Sequence, residues 1–140
     1  MTMDVFPGSP MHPPVETAAL HISGLCKSFD KPAVQDLNLT IAPGEFYALL
    51  GPNGAGKTTT LRMVAGLLPA DAGEIHVFGT NARRDVVEAK RITAWLPDEP
   101  MLYDKLDPVE YLEFVAGLWD VPPELAQDRA TNLLTILGLW

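Results

Sequence analysis

The sequence has 140 residues, a length that favours a single domain. Hydrophobic residues make up 47% of it and charged residues 20%, which excludes an intrinsically disordered chain and predicts a buried core. The formal net charge is −8, and because an acidic surface repels phosphate backbones, nucleic acid is not expected as a partner. The acidic excess lies beyond Leu96, where only Lys105 and Arg129 are basic, and is typical of a solvated face.

The sequence lacks the features that would indicate a disulfide-linked protein, a cysteine-based metal cluster, a signal peptide or a membrane span. The single cysteine, Cys26, can form neither an internal disulfide nor a cysteine-based metal cluster. No signal peptide is recognisable, and no apolar run approaches the ~18 residues needed to cross a membrane. Residues 1–16 are rich in proline and are expected to form a disordered tail.

The apolar pattern predicts short strands and helices in alternation. In chain order these are strands at residues 18–22, 34–41 and 46–50, a helix at 57–65, a strand at 74–78, a helix at 83–90, a strand at 92–96, and two helices that end near residues 119 and 137. The run at 46–50 is continuously apolar, as expected for a strand buried on both faces. Gly66 is suited to the C-terminus of the first helix, and Asp107 with Glu110 forms a potential capping box.

A glycine-rich loop separates the strand at 46–50 from the following helix. Residues 51–58, Gly-Pro-Asn-Gly-Ala-Gly-Lys-Thr, fit the pattern G-x-x-x-x-G-K-[ST]. Glycines allow successive amides to point at phosphate oxygens, and the helix N-terminus favours negative charge. Lys57 would contact the terminal phosphates, and Thr58 would bind Mg²⁺. The strand–loop–helix context favours nucleotide binding over a turn that happens to contain lysine.

The sequence lacks the additional motifs that two other classes of nucleotide-binding protein require. The Asp-x-x-Gly and Asn-Lys-x-Asp motifs of a GTPase are absent after the loop, and no arginine cluster provides the lid of a small-molecule kinase. ATPase modules remain, with ATP and Mg²⁺ as the expected ligands. The predicted nucleotide-binding residues of the loop are Gly51, Pro52, Asn53, Gly54, Ala55, Gly56, Lys57, Thr58 and Thr59.

The residues in and around this loop identify a family more specifically than the loop pattern alone. It comprises Pro-Gly-Glu at 43–45, GPNGAGKTTT at 51–60, LRMVAGL at 61–67 and GEIHVFG at 73–79. From about residue 20 to 140, the chain resembles the ATP-binding subunit of ABC transporters. The resemblance implies an α/β fold of the P-loop NTPase class, with a partial ATP-binding core at 17–97 and the beginning of the helical subdomain at 98–140. The segment LPDEPMLY at 96–103 is most similar to bacterial ABC-2-type and Ecs-like exporters.

The resemblance also implies roles for Phe29 and Asp98. The family stacks adenine on an aromatic side chain before the loop, and Phe29 matches that position; the alternative is a core residue between the first two strands. Asp98 stands where the family has a glutamine that senses Mg²⁺ and the attacking water, so a catalytic and metal-binding role is predicted for a shorter, charged side chain. Asp98 and Glu99 also look like the family's later Asp-Glu box, but Pro97 would interrupt the strand that such a box requires.

Other features of the family are not found in the sequence. The family's signature motif centres on a serine after the loop, and no serine follows Ser28. The family's switch histidine lies late in the chain, and no histidine follows His76. The resemblance therefore covers the first half of such a subunit, which is expected to bind Mg-ATP with little turnover and to expose an apolar sheet edge.

The resemblance implies further partners and a location. These are an integral membrane permease, a second ATP-binding subunit in a dimer, and the cytoplasmic face of the plasma membrane. Residues 101–119 are expected near the permease groove, with Leu112, Val115 and Trp119 in the core. Two alternatives are a regulatory module that binds nucleotide without hydrolysing it, and a soluble ABC-family ATPase.

Overall fold

The computed structural model describes residues 13–99 and 102–140. The chain divides into two compact units, Met1–Trp95 and Leu96–Trp140. Most of the predicted tail at 1–16 lies outside the described residues. At its end, residues 14–17 form a turn in which the amide of Thr17 donates to the carbonyl of Pro14 at 3.0 Å.

The first unit is built on a four-stranded antiparallel sheet with the order β2-β1-β3-β4. Its strands are β1 (Leu20–Ser28), β2 (Pro32–Ile41), β3 (Ala72–Val77) and β4 (Thr80–Asn81). Ile22, Leu25 and Ile75 are its most deeply buried side chains. The first strand continues six residues beyond the predicted end at residue 22. Its pairing shifts register between Ile22 and Leu25, and such irregularities break the alternation that a sequence pattern relies on.

Two helices complete the first unit, α1 (Lys57–Val64) and α2 (Val86–Arg91). The predicted end of α1 is confirmed: Gly66 has φ +66°, and its amide donates to the carbonyl of Met63 at 3.1 Å. This left-handed cap satisfies carbonyls that the last helical turn leaves without partners. The second helix begins three residues later than predicted, at Val86.

Two predicted strands, at residues 46–50 and 92–96, are wrong. Within the described residues neither segment pairs with another strand. Phe46 is 95% exposed and Leu50 is also exposed, whereas Tyr47 packs against the core. An apolar run reveals a tendency to be buried, but a strand exists only where a neighbour supplies the backbone hydrogen bonds. The turn at residues 43–44 is present, with φ +76° at Gly44.

The second unit contains two helices that pack together, α3 (Pro108–Leu118) and α4 (Pro123–Ile136). The predicted capping box of α3 is confirmed. Asp107 accepts hydrogen bonds from the amides of Val109 and Glu110, both at 2.9 Å, and the Glu110 carboxylate accepts from the amide of Asp107 at 2.9 Å.

The buried face of α4 follows the helical repeat through Ala126, Ala130 and Leu134. Leu112 and Val115 are half-buried, but the core position predicted for Trp119 is wrong, since its side chain is 53% exposed at the C-terminus of α3. Across residues 13–99 and 102–140, no helix has the length and apolar character needed to cross a membrane.

Candidate nucleotide-binding site

Two glycines give the loop before α1 its shape. Gly54 and Gly56 have φ values of +82° and +84°, in the left-handed region that side chains disfavour. Gly56 also lies directly against β2: a Cβ atom there would overlap the carbonyl oxygen of Ala33 and would lie 3.0 Å from Cγ2 of Val34. The loop is therefore anchored to the sheet at Gly56, and only glycine fits that contact.

The N-terminus of α1 carries amides with no helical acceptor. The first helical hydrogen bond is donated by the amide of Thr60 to the carbonyl of Gly56 at 2.8 Å, and no side chain of residues 13–99 or 102–140 caps the helix. In an α-helix the amides of Lys57, Thr58 and Thr59 then have no carbonyl within the helix to bond. Together with the helix dipole, these donors suit a phosphate group.

Lys57 folds back over the loop that precedes it. Its ammonium donates to the carbonyl of Gly51 at 2.6 Å and to the carbonyl of Pro52 at 2.8 Å. A third bond, from the amide of Ala55 to the carbonyl of Pro52 at 3.1 Å, closes the same turn. The positive charge is thus held at the mouth of the loop by neutral acceptors, which a phosphate oxygen can replace with a charge-assisted hydrogen bond.

The hydroxyl of Thr58 is the oxygen ligand that the loop offers to a metal ion. Its side chain is exposed in the first turn of α1. Mg²⁺ takes few ligands from protein side chains and completes its octahedral shell with phosphate oxygens and water. Within the described residues no cluster of three or more histidine, cysteine or acidic side chains is arranged to bind a metal. A single hydroxyl beside a phosphate site fits Mg²⁺ better than a metal held by protein groups alone.

Phe29 lies in the turn between β1 and β2 and is 62% exposed. This exposure excludes the alternative of a core residue between the first two strands. Phe29 is only four positions before Ala33, which contacts the loop at Gly56, so the chain between them spans at most about 14 Å. The predicted stacking residue and the predicted phosphate loop are therefore tethered to the same end of the sheet.

Asp71 and Lys27 lie beside Phe29 and were missed by the sequence analysis. The Asp71 carboxylate accepts from the Lys27 ammonium and from the amide of Ser28, each at 2.7 Å. The hydrogen bond from Lys27 makes the largest contribution and that from the Ser28 amide the next, and together they hold the pKa of Asp71 below its ordinary value. Asp71 is 44 residues from Lys27, and no sequence pattern connects them.

Asp98 lies in the second unit, in an exposed bend. Its predicted catalytic and metal-binding role stays a prediction. The alternative box at residues 98–99 would need a preceding strand, and the described residues 92–97 form none. Of the nearby segment 96–103, residues 100 and 101 lie outside the described residues.

Comparison with known proteins identifies the family of the chain. The pattern of the ABC transporter family matches residues 34–140. The chain belongs to the ABC transporter family. Its fold is that of an ABC ATP-binding domain, and membership implies nucleotide binding.

Relatives of this ABC protein occur in bacteria and in mammals. The chain is 36% identical over 127 residues to the human phospholipid-transporting ATPase ABCA3, covering 87% of this chain and 8% of that protein. It is 37% identical over 121 residues to the ABC transporter ATP-binding protein YxlF of Bacillus subtilis, covering 86% of this chain and 39% of that protein. The chain thus spans well under half the length of both relatives.

A solved structure described as the ATP-binding subunit of an ABC transporter has the same fold. The TM-score is 0.74 at 28% sequence identity, covering 86% of this chain and 51% of that one. The expectation of an α/β P-loop fold of the ABC type is confirmed.

Proposed function

We propose that this ABC ATP-binding chain binds Mg-ATP at the loop of residues 51–59 and acts with a separate membrane permease. The observation that carries the proposal is the anchored loop with its free helix N-terminus and the Lys57 ammonium at its mouth. These groups supply the donors and positive charge that a triphosphate needs. Phe29, exposed at the same end of the sheet, would stack on the adenine ring.

Lys57, the amides at the start of α1 and Thr58 have separate parts in this proposal. Lys57 would exchange its two carbonyl acceptors for oxygens of the terminal phosphates. The amides at the start of α1 would donate to the same groups. Thr58 would provide one oxygen ligand to Mg²⁺, which offsets phosphate charge when bound. Asp98 keeps its predicted metal-binding and catalytic role as part of this proposal.

We expect binding to exceed turnover. Hydrolysis requires a carboxylate or equivalent group that orients and activates the attacking water. The described hydrogen bonds of the loop involve carbonyl acceptors and no carboxylate. Binding alone needs only the phosphate donors, which the loop provides. We propose residues 17–97 as part of the ATP-binding core and 98–140 as part of the helical subdomain.

The permease would meet an apolar groove in the second unit. Tyr103 packs edge-on against Phe114 with ring centroids 5.4 Å apart, and both remain exposed beside Leu102 and Leu106. Exposed aromatic side chains beside a groove are typical of protein interaction sites. Dimerisation with a second ATP-binding subunit, and a position on the cytoplasmic face of the plasma membrane, are part of the same proposal.

Calorimetric titration with Mg-ATP tests nucleotide binding directly. The Lys57→Ala variant should weaken binding by about tenfold to a hundredfold, because a hydrogen bond to a charged group contributes about 1.5–3 kcal/mol. The matched control is Lys90→Ala, which removes the same charge from α2. Lys90 packs beside Gly66 at the opposite end of α1 from the loop.

Phosphate release recorded in the same samples tests the second part of the proposal. Saturable binding with negligible release supports a chain that binds ATP without turning it over. Equal loss of affinity in the two lysine variants would show that the loop is not the binding site.

A further inference from the structure

The turn that carries Phe29 is held by a side chain from a distant part of the sequence. Asp71 lies just before β3 and reaches across to the end of β1, where its two carboxylate oxygens bind two different groups. Oδ1 accepts from the Lys27 ammonium at 2.7 Å, and Oδ2 accepts from the amide of Ser28 at 2.7 Å. These are the two residues that immediately precede Phe29.

The backbone brings Asp71 to this position. Its own amide donates to the carbonyl of Cys26 at 3.0 Å. Two residues later, Gly73 has φ +88°, and a Cβ atom there would overlap the backbone of Gly24 and Leu25. The backbones of β1 and β3 therefore approach more closely than a side chain at position 73 would allow. This close approach places Asp71 at the end of β1.

Lys27 connects Asp71 to the aromatic ring. Its side chain is only 12% exposed, and the ion pair with the half-exposed Asp71 fixes the ammonium. The same ammonium lies 5.6 Å from the centroid of the Phe29 ring, within the range of a cation–π interaction. On the other side of the turn, the amide of Phe29 donates to the carbonyl of Lys31 at 3.0 Å.

We infer that Asp71 is a positioning residue for base recognition: it holds Lys27 and Ser28 so that the Phe29 ring presents one face to the adenine. Lys27 occupies the other face. This inference rests on the proposed function, because it requires adenine to stack on Phe29. In this arrangement Asp71 itself touches neither the base nor the phosphates. It restricts the conformations of the exposed Phe29 ring, which would otherwise become ordered only when the nucleotide binds.

Two ligands separate base recognition from phosphate recognition. Mg-ATP requires both, whereas Mg-tripolyphosphate has the phosphates and no base. Phe29→Ala should weaken ATP binding by about fivefold to a hundredfold, the usual range for loss of base–aromatic stacking, and should leave tripolyphosphate binding unchanged. Asp71→Asn should weaken ATP binding by about threefold to tenfold, also without effect on tripolyphosphate, since the ring remains but is less well held.

The matched control is Asp30→Asn. Asp30 is exposed, directly follows Phe29 and carries the same charge, but its side chain makes no hydrogen bond within the described residues. It should bind both ligands as the unaltered chain does. Lys27→Gln removes the same ion pair from its other partner, and it should weaken ATP binding as Asp71→Asn does. Lys27→Arg should retain most of the ATP affinity, because it keeps the ion pair and the cation over the ring.

A double-mutant cycle decides the point. If Asp71 acts through Phe29, Asp71→Asn has no further effect on ATP affinity once Phe29→Ala is present. A full additional loss in that background, or an equal loss for ATP and tripolyphosphate, would assign Asp71 a merely structural role and overturn the inference. If Phe29→Ala weakens ATP binding and Asp71→Asn does not, the inference fails while the proposed function stands. If the unaltered chain binds neither ligand, both fail.

Discussion

Replacing Gly56 with alanine should detach the glycine-rich loop from the sheet. Two effects add at this position. An alanine in the left-handed region costs about 1–2 kcal/mol, and φ at Gly56 is +84°. The new methyl group would also overlap the Ala33 carbonyl and crowd Val34, and forcing such an overlap costs about 1–3 kcal/mol more. The total loss of stability in the first unit is expected to be about 2–5 kcal/mol.

Gly54 provides a matched control for the conformational part of this effect. Its φ of +82° is nearly the same, but a Cβ atom there would have no contact within 4 Å among the described residues. Gly54→Ala should therefore cost only the conformational term, about 1–2 kcal/mol. The difference between the two variants isolates the contact between the loop and β2.

Hydrogen exchange of the β2 amides, measured with increasing urea, gives the free energy of the opening that exposes these amides. The reasoning is refuted if Gly56→Ala and Gly54→Ala lower that free energy equally. It is also refuted if Gly56→Ala retains full stability, since the loop could then move away from Ala33 without loss.

Three further predictions concern other parts of the chain. Thr58→Val should remove the Mg²⁺ enhancement of ATP affinity while leaving metal-free ATP binding nearly unchanged, and titrations with and without Mg²⁺ would reveal any other outcome. The lowered pKa of Asp71 means that its contribution to stability is complete above the ordinary value of 3.8 and is lost as the pH falls through the lower, folded-state value. Asp71→Asn should abolish that dependence, measured by chemical denaturation between neutral and acidic pH. Asp107→Ala should lower the stability of α3 by about 1 kcal/mol through loss of its capping box, and unchanged exchange rates of the α3 amides would contradict this.

The parts of the fold that the sequence predicts are those determined by neighbouring residues. The loop is identified by eight consecutive residues, and the helix that follows it is capped by Gly66 as predicted. The capping box at residues 107–110 is likewise local, because both its donors and its acceptors lie within one helical turn. Such signals depend on backbone conformations that a short segment determines by itself, without distant partners.

The errors arise where partners are distant in sequence. Residues 46–50 and 92–96 have the composition of strands but no pairing partner within the described residues, so composition alone was misleading. The register shifts in β1 concealed its true length. In the candidate site, the bond between Asp71 and Lys27 spans 44 residues, and the contact of Gly56 with Ala33 depends on how the loop packs against β2. Neither leaves a pattern that a single sequence can reveal.

Exchange of the loop amides on addition of Mg-ATP tests the central claim most directly, because it reports on the groups proposed to bind phosphate. The account predicts that protection from hydrogen exchange increases at residues 53–59, for Mg-ATP and for Mg-tripolyphosphate alike, and that Lys57→Ala abolishes most of the increase. Saturable binding of Mg-ATP with no change in these amides would place the nucleotide elsewhere on the chain and contradict the account.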